Sequence, residues 1–298
     1  MSVAVVAHAG KTFDGGLPEL RRLLADRGFT DPLWFEVPKS RKAPARIVEA
    51  LDQGADLILV WGGDGTVQRC LDAVARHDEH HKAAIGILPA GTANLLAGNL
   101  GVPSGLEAAL EVALDGDRRH LDMGVVNGQY FAVMAGTGLD ALMMKEADAG
   151  LKDKVGQLAY IYTGARAVRA APVTMTVKVD GRKWFDGQAG CLLLGNMGKL
   201  TGGLVAFPDA RPDDGLLDIG IVTATSSVEW ARVLTRLVAG RASRSKLVRI
   251  TKGRRLTVKL GHKRPYELDG GARPKTKRLK ITVAPRAVTV CAPAPSNE

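Results

Sequence analysis

The chain is poor in aromatic residues, 5% of its 298 positions, and in cysteine, of which it has three. With aromatics this sparse and no recognition motif present, nucleic acid is not an expected partner. Cys70, Cys191 and Cys291 are far apart and odd in number, with no C-x-x-C spacing. Neither a disulfide framework nor a thiolate metal site is expected, and the thiols read as inert in a reducing cytosol. No apolar run approaches the ~18 residues of a membrane span. No basic segment followed by a long apolar stretch opens the sequence, so no signal peptide is expected. A G-x-G-x-x-G after the first strand is missing, as is a Walker A lysine motif, which argues against a dinucleotide Rossmann domain and a P-loop.

Positive charge and glycine are plentiful. Net charge is +10, a field that favours anionic partners such as nucleotides or acidic lipid surfaces. It is uneven: residues 241–286 carry sixteen Lys or Arg against Glu267 and Asp269, net +14, leaving −4 elsewhere. Two readings stay open, docking on an anionic membrane and strand faces merely solvated by Lys and Arg. The 35 glycines occur largely in clusters, which points to tight loops. Hydrophobic residues at 46% and charged residues at 24% are ordinary for a globular chain, and the length suggests two domains.

Residues 1–122 alternate strand and helix signals. Strands are expected at 3–7, 33–37, 56–61 and 84–88. Helices are expected after Pro18, after Pro44 and over 67–76, and again after Ser104-x-x-Glu107, which reads as a capping box. That order implies right-handed βαβ units and a mainly parallel sheet. From 123 to 298 the pattern is mostly antiparallel. Asn127-Gly128 and Asp180-Gly181 are hairpin signals, and short alternating strands recur at 217–222, 256–260, 279–283 and 287–291. Helices are expected near 156–170 and 226–239, the second with the capping box Ser226-x-x-Glu229. The fold class read from this is an α/β nucleotide-binding domain followed by a mostly antiparallel, β-sandwich-like second domain.

Two glycine loops carry the chemistry. Gly62-Gly63-Asp64-Gly65-Thr66 stands between a buried strand and a helix. Glycines let backbone N–H groups approach phosphate oxygens, and a helix N-terminus adds partial positive charge. A carboxylate in such a cradle makes sense if Asp64 holds Mg²⁺ or accepts a proton during phosphoryl transfer. Thr66 can donate its hydroxyl to phosphate. The second loop, Pro89-Ala90-Gly91-Thr92-Ala93-Asn94, follows the next strand. Gly91 and Thr92 are expected at phosphate, and Asn94 at sugar or base. In a parallel sheet both loops share one edge. His8 lies near the same crevice. His77, His80 and His81 read as a solvated surface cluster, and Trp61 as core.

Gly62–Thr66 followed by Leu88-Pro-Ala-Gly-Thr-Ala-Asn94 resembles the diacylglycerol kinase catalytic family, which includes bacterial lipid kinases and sphingosine kinases. Gly136-Thr-Gly-Leu-Asp140, Asn196 through Gly202-Gly203, Pro208-Asp-Ala210, Asp214-Gly-Leu216 and Asp269-Gly270 extend the likeness over nearly the whole chain. The resemblance implies an ATP-dependent kinase acting on a lipid hydroxyl, most simply diacylglycerol, in lipid metabolism and phospholipid biosynthesis, with the active site between the domains. It implies that Gly63, Asp64, Gly65, Thr66 and Thr92, with Ser40, contact nucleotide; the loop reading adds Gly62, Gly91 and Asn94 to that set. It also implies a structural Mg²⁺ in the second domain on the Asp214 side chain and the carbonyls of Arg211 and Leu216.

The sequence departs from the family in three places. Val6-Ala7 stand where the family has Asn-Pro, and Gln68-Arg69 where it has Asn-Glu. The family's late D-G-E reads Asp269-Gly270-Gly271, without the glutamate that serves as proton acceptor. Asp64 and, as fallback, Asp269 are then the candidate catalytic carboxylates. The expected protein is a cytosolic lipid kinase that meets its substrate at the membrane surface. Two alternatives are an NAD kinase-like small-molecule kinase, which shares the G-G-D-G-T loop, and a catalytically inactive nucleotide- or lipid-binding regulator.

Overall fold

The computed structural model describes residues 1–77, 83–138, 172–200 and 204–294. They form two compact units, Met1–Leu121 with Arg286–Glu298, and Asp122–Pro285. The helix expected near 156–170, His80, His81, Asp140 and Gly202-Gly203 lie outside the described residues.

In the first unit β1 (Val3–His8), β2 (Leu33–Val37), β3 (Leu57–Gly62) and β4 (Ala84–Pro89) are parallel, in the order β2-β1-β3-β4. All six residues of β3 and of β4 are buried, as strands covered on both faces must be to satisfy the period-two pleat with apolar side chains throughout. The helices are α1 (Gly16–Asp26), α2 (Ala43–Asp52), α3 (Asp64–Arg76), α4 (Leu95–Leu100) and α5 (Leu106–Asp115). Pro44 falls in the first turn of α2, where its missing N–H costs no hydrogen bond. The chain leaves β1 toward β2 and leaves β3 toward β4, on opposite sides. The topological switch therefore lies at the carboxyl ends of β1 and β3, the usual ligand crevice of such sheets.

The capping box at Ser104 does not form. Gly105 stands at the N-cap of α5 and has no side chain to close it; instead the Asp14 carboxylate accepts from Leu106 N at 2.6 Å. The end of the last strand also departs from expectation. Residues 289–290 of β14 (Gly271–Ala292) pair in parallel with 84–85 of β4, which places the chain's end in the first unit and not the second.

The second unit contains the ends of β5 (Asp117–Val126) and β14, together with β6 (Gln129–Phe131), β7 (Met134–Thr137), β8 (Val173–Val179), β9 (Arg182–Ala189), β10 (Cys191–Gly195), β11 (Leu217–Val222), β12 (Val248–Gly253) and β13 (Arg255–Leu268). Among the described residues β10 pairs antiparallel with β11 and β7, β11 with β12, β13 with β14, β7 and β8, β5 with β6, and β8 with β9. Three hairpins close on Asn127-Gly128, Asp180-Gly181 and Asp269-Gly270, with φ of 49° and 79°, 46° and 83°, and 45° and 76°. Two consecutive positive φ values define the turn whose twist matches antiparallel strands, and Asn or Asp followed by Gly is the pair that tolerates them. Gly124 pairs with Phe131, and a Cβ there would lie 2.1 Å from the Phe131 ring. The ring takes the space the glycine leaves.

The core joins Phe131, Met175, Phe185, Leu192, Ile219, Val258 and Ile281 among others. α6 (Ser227–Val238) buries Trp230, Val233, Leu234 and Leu237, and its capping box at Ser226 and Glu229 is formed. Among the described residues no helix is long and apolar enough to cross a membrane.

Candidate active site

Gly62 pairs with Pro89 across β3 and β4, so the two glycine loops leave the sheet side by side at one edge. They touch: a Cβ on Gly91 would sit 2.5 Å from Gly63 Cα, and one on Gly63 would sit 3.0 Å from Gly91 Cα. The sequence reading has Gly63 leave room for phosphate. The structure gives it and Gly91 a nearer reason, close passage of one backbone over the other. Gly62 is likewise filled in by Thr66, whose Cβ would be 2.7 Å away. Gly65 differs, because nothing lies within 4 Å of its missing Cβ. It is exposed in the first turn of α3, a helix whose N-terminus has no side-chain cap. Uncapped N–H groups and the helix dipole make this end receptive to an anion.

Asp64 is the first residue of α3, and its Oδ1 accepts from Leu95 N, the first N–H of α4, at 2.5 Å. One carboxylate thus ties the first loop to the helix that follows the second. Burial is the largest influence on Asp64 and pushes its pKa above the ordinary carboxylate value; backbone N–H groups of Leu95, Asp64 itself, Leu96 and Asn94 pull the other way.

Asn94 serves its own loop. At φ 44° it occupies the left-handed region, which Asn tolerates better than most residues. Its Oδ1 accepts from Gly91 N at 2.9 Å, and its Nδ2 donates to the Pro89 and Gly91 carbonyls at 3.1 and 2.8 Å. The expected contact to sugar or base is replaced by a clamp that shapes the loop. Thr92, at the loop's tip, is exposed. Ser40 and Thr66, 26 residues apart, meet at 2.8 Å through their hydroxyls. Thr66 is buried, so it holds Ser40 and does not itself face solvent. At the end of β1, His8 Nδ1 accepts from Gly10 N at 3.1 Å, turning the chain toward the switch point. Buried Trp61 donates to the Lys11 carbonyl at 3.0 Å and fixes the same turn, a contact the sequence does not signal.

Asp269 belongs to the second unit and is fully engaged there. Its Oδ2 accepts from Ala132 N at 2.8 Å, and its Oδ1 from Val133 N and Met134 N, both at 2.9 Å. A carboxylate holding three backbone donors anchors a turn, and its lone pairs are engaged in those bonds. This corrects the fallback assignment of a base role to Asp269. At Gly271, where the family's glutamate would stand, a Cβ would lie 2.8 Å from Arg273 Nη1.

The implied metal position also differs from expectation. Asp214 Oδ1 accepts from Leu216 N at 2.9 Å, and Oδ2 lies 3.3 Å from Lys252 Nζ. The same Nζ lies 3.3 Å from Asp218 Oδ2 and donates to the Asp209 carbonyl at 2.8 Å. Burial works against the Lys252 charge, but Asp218 and Asp214 outweigh it and raise the ammonium's pKa. Among the described residues no group of three His, Cys, Asp or Glu is placed to hold a metal. With the Lys252 ammonium 3.3 Å from Asp214 Oδ2, a divalent ion on that carboxylate would meet like-charge repulsion.

A parallel sheet with paired glycine loops and one carboxylate at its switch-point edge, plus an antiparallel second unit, defines a two-unit nucleotide-dependent phosphotransferase. Residues 3–126 match the diacylglycerol kinase catalytic domain, and residues 133–292 match the YegS C-terminal NAD kinase beta sandwich-like domain. The chain belongs to the diacylglycerol kinase family of lipid kinases. It is 31% identical over 224 residues to the diacylglycerol kinase of Bacillus subtilis, covering 74% of this chain and 73% of that one. A diacylglycerol kinase structure from Bacillus anthracis superposes with a TM-score of 0.75 at 21% identity, over 98% and 96% of the two chains. An NAD kinase from Archaeoglobus fulgidus, solved with ATP, shares the fold more remotely, with a TM-score of 0.54 at 13% identity over 98% and 93%.

Proposed function

We propose that this kinase transfers the γ-phosphoryl group of ATP to a hydroxyl of diacylglycerol or a related lipid. The observation that carries this reading is the pair of touching glycine loops, with Asp64 bridging them, at the open N-terminus of α3. The nucleotide phosphates lie against the first turn of α3 beside Gly65, and Thr92 donates to them from the second loop. Mg²⁺ would arrive on those phosphates and neutralise their charge, with Asp64 the carboxylate of these loops nearest to hand. Because the transferred group passes through a loose transition state, positioning and charge do most of the work. The lipid oxygen forms its bond to phosphorus as the bond to the β–γ bridging oxygen breaks. The hydroxyl proton goes to Asp64, whose burial-raised pKa makes it a better acceptor than an exposed aspartate. Gly271 carries no side chain to compete for this role.

The lipid class follows from the family and from the name of the Bacillus subtilis relative. Of the sixteen Lys and Arg in residues 241–286, thirteen are exposed, so the charge faces water and is available to an anionic bilayer. We therefore read the protein as cytoplasmic and peripherally membrane-associated. The test offers labelled ATP with diacylglycerol, a sphingoid base or NAD in parallel. Label in the lipid phosphate supports the proposal, and label in NADP contradicts it. The missing glutamate favours one second reading, a nucleotide-binding regulator. ATP binding without transfer to any acceptor, with transfer restored by Gly271→Glu, would establish it.

A further inference from the structure

β11 and β12 are antiparallel neighbours, and Asp218 stands directly opposite Lys252. Asp218 is 5% exposed, and a carboxylate that deep needs a counter-charge. The loop preceding β11 brings two more acceptors to the same point, the Asp209 carbonyl and Asp214. An ammonium has three N–H donors and no acceptor. Lys252 Nζ meets three oxygens here, at 2.8 Å for Asp209 O and 3.3 Å for Asp214 Oδ2 and Asp218 Oδ2. Asp122 Oδ2 accepts from Gly215 N at 2.6 Å and the Pro212 carbonyl accepts from Asp122 N at 2.7 Å, so the loop is pinned around the lysine. Magnesium would require oxygens at about 2.0–2.1 Å in octahedral array, and calcium six to eight at about 2.3–2.6 Å. The oxygens found here are spaced for a nitrogen cation, and a divalent ion beside Nζ would meet like-charge repulsion.

We propose that Lys252 is the built-in cation of the second unit, doing covalently what a bound divalent metal is implied to do there, so that this unit folds without metal. The inference concerns folding of the second unit and stands whether or not the chain transfers phosphate to a lipid.

The test is thermal unfolding of the full chain without nucleotide, in EDTA, in millimolar Mg²⁺ and in millimolar Ca²⁺. Wild type is expected to melt at one temperature in all three. Lys252→Met, nearly isosteric but uncharged, is expected to melt several degrees lower and to regain part of that loss in Mg²⁺ or Ca²⁺. A Lys252→Met chain that melts like wild type overturns the proposal, because the site then needs no cation. One that melts lower but gains nothing from either ion also overturns it, because the oxygens then do not form a cation site. Should Lys252→Met not fold, wild type alone decides. A melting temperature raised by Mg²⁺ and made indifferent by Asp214→Asn assigns the site to metal and overturns the proposal; indifference of wild type upholds it.

Discussion

Asp64 has two roles that substitution can separate. Its carboxylate caps α4 through Leu95 N, and it is the proton acceptor of the proposed phosphoryl transfer. Asparagine keeps an oxygen for Leu95 N but cannot accept the lipid proton. Asp64→Asn is therefore expected to retain the fold and lose nearly all turnover, whereas Asp64→Ala loses turnover and also about 1 kcal/mol of stability, the usual worth of a cap. Stability against pH checks the buried charge. Below the unfolded-state pKa, near 3.8, both Asp64 and Asn are neutral and the two chains should differ least. As pH rises through the higher folded-state pKa, wild type must ionise a partly buried group and loses stability relative to Asp64→Asn. Urea titrations across that range would read the gap, and a gap that closes with rising pH would refute the burial argument. Gly65→Ala places a methyl in open space and improves helix propensity by about 1 kcal/mol. It should leave melting unchanged or raised while increasing KM for ATP; an unchanged KM would remove phosphate from this turn. Asp269→Asn should do the reverse of Asp64→Asn, costing at least about 2 kcal/mol from the charge-assisted bonds to residues 132–134, with turnover per folded molecule retained. Residue types and loop order were legible in the sequence. The bonds were not, because Asn94 folding back on Pro89 and Gly91, Thr66 meeting Ser40 and Asp269 holding a turn depend on side-chain direction, which spacing alone leaves undetermined.

Among the elements, those with strong local chemistry were the readable ones. The turns at 127–128 and 180–181 formed where an Asn or Asp precedes Gly, and 269–270 obeys the same rule though it was read only as a motif. β1 to β4 fall within a residue or so of their expected bounds, since a buried run in an α/β chain leaves few alternatives. The two capping-box patterns split. Ser226-x-x-Glu229 closes, with Glu229 also accepting from Thr225 N at 2.7 Å, while at Ser104 the distant Asp14 supplies the cap instead. A tertiary partner 92 residues away has no local trace. Ser226→Ala should accordingly cost about 1 kcal/mol in chemical denaturation and Ser104→Ala almost nothing; equal losses would contradict the assignment. The strands expected at 256–260, 279–283 and 287–291 merge into β13 and β14, the former with register shifts between Lys259 and Tyr266. A shift in register keeps pairing going where alternation of the sequence breaks, so one strand reads as fragments.

For the molecule as a whole, the decisive quantities are charge distribution and the reaction. The +14 segment should make vesicle binding depend on anionic lipid and fall with salt, because exposed charges are screened over about 10 Å at 0.1 M. Sedimentation with neutral and anionic vesicles at two ionic strengths reads this, and equal binding to both would assign the basic residues to strand solvation alone. The fold class was legible from alternation followed by hairpins, but the return of the chain's end to the first unit was not, since a single pairing of 289–290 with β4 decides it. The most direct test of the central claim is the rate of labelled phosphate transfer from ATP to diacylglycerol in anionic vesicles, measured for wild type, Asp64→Asn and Asp269→Asn at matched folded concentration. The account predicts transfer by wild type, near-abolition in Asp64→Asn and retention in Asp269→Asn. Undiminished transfer by Asp64→Asn, or a greater loss from Asp269→Asn, would contradict it.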